Sequence, residues 1–196
     1  MKFYFKQGIR FGVLALFCLG SLHALDLTPH FEEIDGDGIE PLRKLVFLDG
    51  KKKVYLDLSK TWMVEGGGEK VTFQPGKDSS SLVTFKLSRG ASQEFDEKSI
   101  AACHERIRAF LKEGAKDFII LDETKAPYAI KAWNSYQVVG RYNFYGTWIK
   151  IGLIFINLDV NQQLTVLLTG PENEFDRVAT STKTLLMSWL EPAQPF

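Results

Sequence analysis

The sequence contains few residues of the kinds that carry out covalent or metal chemistry. Among 196 residues there are two cysteines and three histidines. A zinc site needs three or four protein ligands, and a nucleophilic cysteine or serine needs a base beside it. There is also no Gly-x-Ser-x-Gly segment of the kind that presents a hydrolase nucleophile. The sequence therefore argues against a zinc enzyme and a hydrolase triad, and it predicts no catalytic residue, metal or cofactor.

The sequence also lacks an excess of charge of one sign. Lys and Arg together number 24, and so do Asp and Glu. The first 24 residues hold three of the basic residues and none of the acidic ones, so the remainder has 21 basic and 24 acidic residues. A formal charge of −3 disfavours nucleic acid or an anionic membrane surface as the main partner, because both require a basic face.

A hydrophobic run long enough to span a membrane is missing as well. The apolar segment 11–22 is about half of the ~20 residues that a spanning helix needs. Basic residues precede it and a small residue, Ala24, follows it, which is the layout of a secretory signal peptide. The pattern predicts cleavage between Ala24 and Leu25 and export to the periplasm or the extracellular space, with no membrane span afterwards. An uncleaved signal anchor is the alternative.

Segment 25–41 is acidic and has no Lys or Arg. Its proline and glycine residues interrupt regular structure, so it is predicted to be a flexible arm outside the folded domain. In the register of a calcium-binding loop, the twelfth position is Lys44 where a glutamate is needed, so the turn around Asp35 and Asp37 is not predicted to bind calcium. The arm is either an inert leader or a partner contact through Asp35 and Asp37.

Residues 42–191 are predicted to form one domain, followed by a short tail, 192–196. Alternating apolar residues and turn pairs such as Asp49-Gly50 predict strands joined in hairpins. The strands are expected at 42–48, 52–58, 61–64, 70–73, 81–88, 117–124, 135–144, 147–158 and 163–169. Apolar residues at helical spacing predict helices at 96–113 and 172–190. Short connections between neighbouring strands favour an antiparallel sheet, and amphipathic helices must cover it, so the fold class is an α+β sandwich.

The second half of the chain resembles the PsbP/Mog-like superfamily. The resemblance rests on the strand segments 136–142 and 154–158, on the strand-to-helix segment 163–175, and on the helix end 185–189. It extends over roughly residues 55–190. It implies an α/β/α sandwich around an antiparallel sheet and a function in binding other proteins, as in photosystem assembly or the regulation of a small GTPase. No family binding residue can be matched to a position in this chain.

Two groups of side chains remain as candidates for function. Cys103 and His104 are neighbours on the first predicted helix, where their side chains point about 100° apart and do not share a metal easily. Cys103 is therefore predicted to be a small buried residue, and His104 to lie at the edge of the apolar stripe. Tyr145 and Trp148 flank a predicted turn at Gly146, where they either pack at the sheet edge or form a partner surface.

Three functions are compatible with these observations. The first is a non-enzymatic exported module that binds another exported or envelope protein, or helps to assemble one. The second is a carrier or sensor that holds a small apolar ligand between a helix and the sheet, for which the aromatic content of 13% is the motive. The third is an enzyme that uses a pair of carboxylates. A closed interior favours the first, and a sizeable apolar cavity the second.

If the leader is a cleaved signal peptide, protein purified from its own host should begin at Leu25 or within a few residues of it. N-terminal sequencing of the soluble envelope fraction measures this directly. Recovery of the chain from the cytoplasm with Met1 and the leader intact would contradict the export prediction.

Overall fold

The computed structural model describes residues 25–36, 39–90, 94–127 and 134–190. Ten strands and two helices lie within these ranges. In chain order they are β1 (Leu25–Gly36), β2 (Ile39–Asp49), β3 (Lys52–Leu56), β4 (Trp62–Gly67), β5 (Lys70–Pro75), β6 (Leu82–Arg89), α1 (Glu97–Ala109), β7 (Lys116–Lys125), β8 (Ser135–Phe144), β9 (Thr147–Asn157), β10 (Gln162–Pro171) and α2 (Glu172–Leu190). Neither of the two helices is long and apolar enough to cross a membrane.

The strands form two antiparallel sheets. A small sheet has the order β1-β2-β3, and a large sheet has the order β4-β5-β6-β10-β9-β8-β7. Each pairing between neighbouring strands is antiparallel. Together with the two helices packed on the large sheet, this confirms the predicted α+β class.

Two apolar clusters lie on opposite faces of the large sheet. On one face, α1 covers residues of β8 and β9, including Tyr136, Val138 and Leu153. On the other face, α2 and the small sheet together cover β5, β6 and β10. Strand β9 is buried on both faces, because its residues 151–157 are all buried. A strand with two apolar faces belongs in the middle of a sheet.

The helix boundaries follow the local sequence. The Asp96 side chain accepts a hydrogen bond of 2.8 Å from the backbone N–H of Ser99, which caps the start of α1. This helix ends at Ala109 and is therefore shorter than the predicted 96–113. Helix α2 spans the predicted residues 172–190, and it begins directly after Pro171, the last residue of β10.

The N-terminal segment is part of the fold, and the predicted flexible arm is wrong. Residues 25–36 form β1, and residue 42, predicted to begin the domain, lies inside β2. Leu25 and Leu27 are buried in the cluster beneath the small sheet. The backbone N–H of Leu27 donates to the carbonyl oxygen of Gly68 at 2.8 Å, which fastens β1 to the turn between β4 and β5.

Acidic residues of this segment have partners within the fold, one of them distant in sequence. Lys53 Nζ lies 2.6 Å from a carboxylate oxygen of Glu32. Hydrogen bonds from the side chain and the backbone N–H of Thr28 lower the pKa of Asp26 below its usual value. Residues 25–36 therefore belong to the described domain. The leader, its cleavage after Ala24, Asp37, and the tail 192–196 lie outside the described residues.

The most direct test of the N-terminal segment as part of the core is to truncate Leu27, which has 0% exposure. Leu27→Ala should lower the free energy of unfolding by about 2–5 kcal/mol, the usual cost of a cavity in a core. Ile34→Ala, on the exposed part of the same strand, is the matched control and should cost much less. Denaturant unfolding of both variants gives the comparison. Small losses of equal size in the free energy of unfolding would mean that the segment is a flexible arm after all.

Candidate functional site

The turn between β8 and β9 holds an aromatic residue in an unusual backbone conformation. Tyr145 has φ of 49° and Gly146 has φ of 87°. A two-residue hairpin turn of type I′ requires positive φ at both positions, which suits Asn, Asp and Gly. A bulky residue with positive φ is a strained outlier. The side chain of Asn143 supports the turn by accepting a hydrogen bond of 2.8 Å from the Gly146 N–H.

Tyr145 lies mostly in solvent. It is 83% exposed, and its ring meets the edge of Phe144 at a centroid distance of 4.7 Å. The ammonium group of Lys112, just after α1, lies 5.0 Å from the centroid of Phe144. A tyrosine ring and a lysine charge are therefore presented together beside the end of α1.

Trp148 occupies the opposite face of the same hairpin. It is 37% exposed and lies opposite Asn143 in the ladder. The guanidinium of Arg141 stacks 4.8 Å from the Trp148 ring and also lies 3.5 Å from a carboxylate oxygen of Glu172. We call residues 144–148 the hairpin tip. Its exposed aromatic side chains, Tyr145 and Trp148, face outwards on either side of the large sheet.

The other predicted partner contacts do not join this surface. Asp35 belongs to β1 of the small sheet, whereas the hairpin tip belongs to the large sheet. Asp37 lies outside the described residues. The Cys103 side chain is buried, as predicted for the apolar stripe of α1.

A cluster of polar side chains that the sequence analysis missed joins α1 to the edge strand β7. The Tyr136 hydroxyl donates a hydrogen bond of 2.7 Å to Glu123 Oε2. His104 Nε2 lies 3.1 Å from Glu123 Oε1 and 3.3 Å from the Tyr136 hydroxyl. Phe95 stacks on the Tyr136 ring at a centroid distance of 5.5 Å. The predicted edge position of His104 is thus where the helix meets the sheet.

An irregularity in β7 aims Glu123 at this cluster. Ile120 pairs with Gly140, but Asp122 pairs with Val139, so one extra residue lies between them. Glu123 consequently pairs with Val138 and shares its face with Tyr136. In an unbroken ladder Asp122 would occupy that position, and Glu123 would point to the other face. Bulges re-aim side chains in this way, and a periodicity analysis cannot locate them.

The protonation states of the cluster suit a structural role. Burial, followed by the hydrogen bond to Glu123, raises the pKa of Tyr136. The same hydrogen bond and that of His104 lower the pKa of Glu123. Burial raises the pKa of Cys103 to about 11, which keeps its thiol protonated at neutral pH. Within the described ranges, no three His, Cys, Asp or Glu side chains come together to hold a metal ion.

The cavities beside α2 are small. One of about 30 Å³ lies against Gly152 and Phe175, and one of about 180 Å³ lies between α2 and residues 57–62. Both are below the roughly 300 Å³ of a typical small-molecule site. A larger cleft of about 490 Å³ lies between β1 and β4 and includes Arg43 and Glu33. Its lining combines charged side chains with apolar ones such as Phe31 and Trp62, and no helix residue is among them, so it is not a site between helix and sheet.

No protein-family model matches the chain, and no curated protein matches it either. Among solved structures, it is similar to LpqN of Mycobacterium tuberculosis, described as involved in cell envelope biogenesis, with 12% identity, a TM-score of 0.49, and coverage of 66% of this chain and 78% of that one. It is also similar to the Ran-binding protein Mog1p of Saccharomyces cerevisiae, with 11% identity, a TM-score of 0.46, and coverage of 84% and 95%. A protein of unknown function from Pseudomonas aeruginosa has 14% identity, a TM-score of 0.43, and coverage of 78% and 99%.

These likenesses concern the fold. The resemblance to Mog-like proteins stays a prediction from the sequence, and Mog1p is one of the structures to which the chain is similar. Identities of 11–14% and TM-scores below 0.5 do not transfer a function.

The hydrogen bond between Tyr136 and Glu123 should make stability depend on pH. Because the folded pKa of Glu123 lies below its ordinary value of 4.5, its stabilisation is present above that pH and is lost as the pH falls through the folded pKa. Tyr136→Phe should cost about 1 kcal/mol at pH 7, a modest figure because Glu123 is 39% exposed on its side chain.

Thermal unfolding of the wild type and Tyr136→Phe between pH 7 and pH 3 tests this. The two should differ at pH 7 and converge in acid. Tyr142→Phe is the matched control, since it removes a buried phenol for which only burial raises the pKa, and its cost should not change over this pH range. A constant difference for Tyr136→Phe would show that Glu123 is not its partner.

Proposed function

We propose that this protein is a non-enzymatic exported module that binds another protein through the hairpin tip. The observation that carries the proposal is Tyr145, which combines 83% exposure with a positive φ. The Tyr145 ring contacts Phe144 at the surface and comes close to Gly114, but it does not enter either apolar cluster. An asparagine or glycine would suit the turn better, and the ring adds little to the core.

The energetic argument favours a contact role for this side chain. A non-glycine residue held in the left-handed region costs on the order of 1 kcal/mol or more, and such residues gather at functional sites. Tyrosine and tryptophan are also enriched among the residues that dominate protein–protein binding. The hairpin tip presents one of each, together with the cationic side chains of Lys112 and Arg141, which stack on its rings.

The chemistry of the described side chains supports binding in preference to catalysis. Cys103 is buried and its pKa is raised to about 11, so it is a poor nucleophile. The Tyr136 hydroxyl donates a hydrogen bond to Glu123, and the Tyr136 ring stacks on Phe95. Both side chains are used for packing and for fastening α1 to the sheet.

The proposed place of action follows from the leader. A basic start and a short apolar segment before Ala24 are typical of an exported protein. The proposed partner is accordingly another exported or envelope protein, and neither nucleic acid nor a membrane is needed for the interaction.

Replacing Tyr145 should separate binding from stability. In Tyr145→Asn the new residue tolerates positive φ, so the free energy of unfolding should be unchanged or raised by up to about 1 kcal/mol. Denaturant unfolding measures this part. A clear loss of stability would mean that the Tyr145 ring is needed for the fold, and the argument for a contact role would fail.

Binding is measured in the native envelope with a photo-reactive phenylalanine analogue at position 145. The matched control places the analogue at Val160, which is 73% exposed in the connection between β9 and β10. One discrete cross-linked product at position 145 that is absent at position 160 is expected. Identical products at both positions, or none at position 145, would contradict the hairpin tip as a binding surface.

A further inference from the structure

Helix α1 covers only part of its face of the large sheet. It packs on β8 and β9, whereas β5 and β6 turn their apolar residues Val71, Phe73 and Phe85 to the opposite cluster. The residues of β5 and β6 that alternate with these lie on the α1 side, beyond the helix. They are Lys70, Thr72, Gln74, Leu82, Thr84, Lys86 and Ser88. This half of the face is polar and open to solvent.

Two lysines lie directly opposite each other on this open surface. Lys70 of β5 pairs with Lys86 of β6, and both side chains are exposed. Like charges placed opposite each other in an antiparallel ladder destabilise a sheet, because their Cβ atoms are only about 5 Å apart. Neither lysine forms an ion pair with a described residue. Glu65 pairs with Thr72 and is diagonal to Lys70, and the carboxylate of Glu69, the residue before Lys70, lies 3.7 Å from Arg89.

A third cation continues the row. Lys86 pairs with Thr165 of β10, and the Thr165 hydroxyl accepts a hydrogen bond of 3.3 Å from Arg106 Nη2. Arg106 Nη1 donates to Gln163 Oε1 at 3.2 Å, and the guanidinium lies 4.6 Å from the Phe155 ring. Arg106 is thus held in position by neutral groups, with no carboxylate among its described partners.

We call Lys70, Lys86, Thr165 and Arg106 the basic strip, and we propose that it binds an extended acidic segment of a partner protein. Three positive charges in a row on an exposed surface complement a run of carboxylates. Opposed lysines reduce the stability of the free protein, and an acidic ligand between them would remove that repulsion. A fixed guanidinium loses little freedom when it forms such a contact, which favours binding.

The chemistry of the strip selects this partner over other anions. Single-stranded nucleic acid is bound by exposed aromatic residues on which bases stack, and the open part of β5 and β6 has none. Anionic membranes are recognised by clusters of about four to eight basic residues, more than this row contains. The threonine hydroxyls between the charges suit hydrogen bonds to a peptide.

This inference goes beyond the proposed function and does not depend on it. Thr165 pairs with Phe155, and Phe155 pairs with Tyr136. The strip therefore lies at the same position along the strand direction as Tyr136 of β8. The hairpin tip is eight residues further along β8, which corresponds to about 25 Å. A variant of one surface should therefore leave the other unchanged.

Charge reversal tests the strip. Binding of a fluorescent glutamate-rich peptide to the full mature protein is measured by anisotropy at low salt for the wild type and for Lys70→Glu/Lys86→Glu. The control is Lys51→Glu/Lys77→Glu, which makes the same change in net charge at two exposed turn residues away from the strip. We expect the strip variant to lose at least about tenfold in affinity and the control to lose much less. Added salt should weaken wild-type binding.

Three results would overturn the proposal. Equal losses in both variants would mean that net charge alone controls binding, and unchanged affinity in both would mean that the strip does not take part. Tighter, strip-dependent binding to vesicles with anionic lipids than to the peptide would identify a membrane as the ligand.

Lys86→Thr serves as a second variant that keeps the strand pairing, and its thermal midpoint should not fall, because the opposed charges are removed. A lowered midpoint would assign Lys86 to the fold.

Discussion

The fold depends on the need to cover both faces of the large sheet. Strands β9 and β10 carry apolar side chains on both faces over much of their length, so neither face can be left in water. Helix α1 covers one face at β8 and β9. On the other face α2 is too narrow to cover β5 and β6 as well, and the small sheet completes the layer. Segment 25–36 is part of the domain for this reason.

The same arrangement decides which surfaces are free to bind. One helix on the α1 side leaves β5 and β6 uncovered, and the hairpin between β8 and β9 ends in a turn exposed to solvent. At both places the residues conflict with local folding preferences, with a tyrosine at positive φ and two lysines opposite each other. Natural proteins keep such conflicts mainly where function requires them.

The residues with the most reactive side chains serve the packing. Hydrogen bonds among His104, Glu123 and Tyr136 fasten α1 to the strand at the edge of the sheet. Cys103 is buried on the inner face of the same helix. An edge strand and a single covering helix are easily separated, so a hydrogen-bonded link between them has structural value. This use of the titratable groups agrees with a protein that works through its surfaces.

The sequence by itself determined the elements whose signals are local. Helix α2 was predictable because its apolar spacing and the proline before it are contained within one segment, and the turns at Gly50 and Gly146 were predictable from adjacent residues. Three features were decided only by the tertiary structure. The acidic segment 25–36 becomes a strand because Leu25 and Leu27 help to cover the large sheet, and Glu32 finds its partner in Lys53, distant in sequence. Glu123 reaches Tyr136 because of a bulge in β7, and Lys70 lies opposite Lys86 because of the strand register. Both contacts depend on which strands pair and in what register. Composition and periodicity do not specify this pairing.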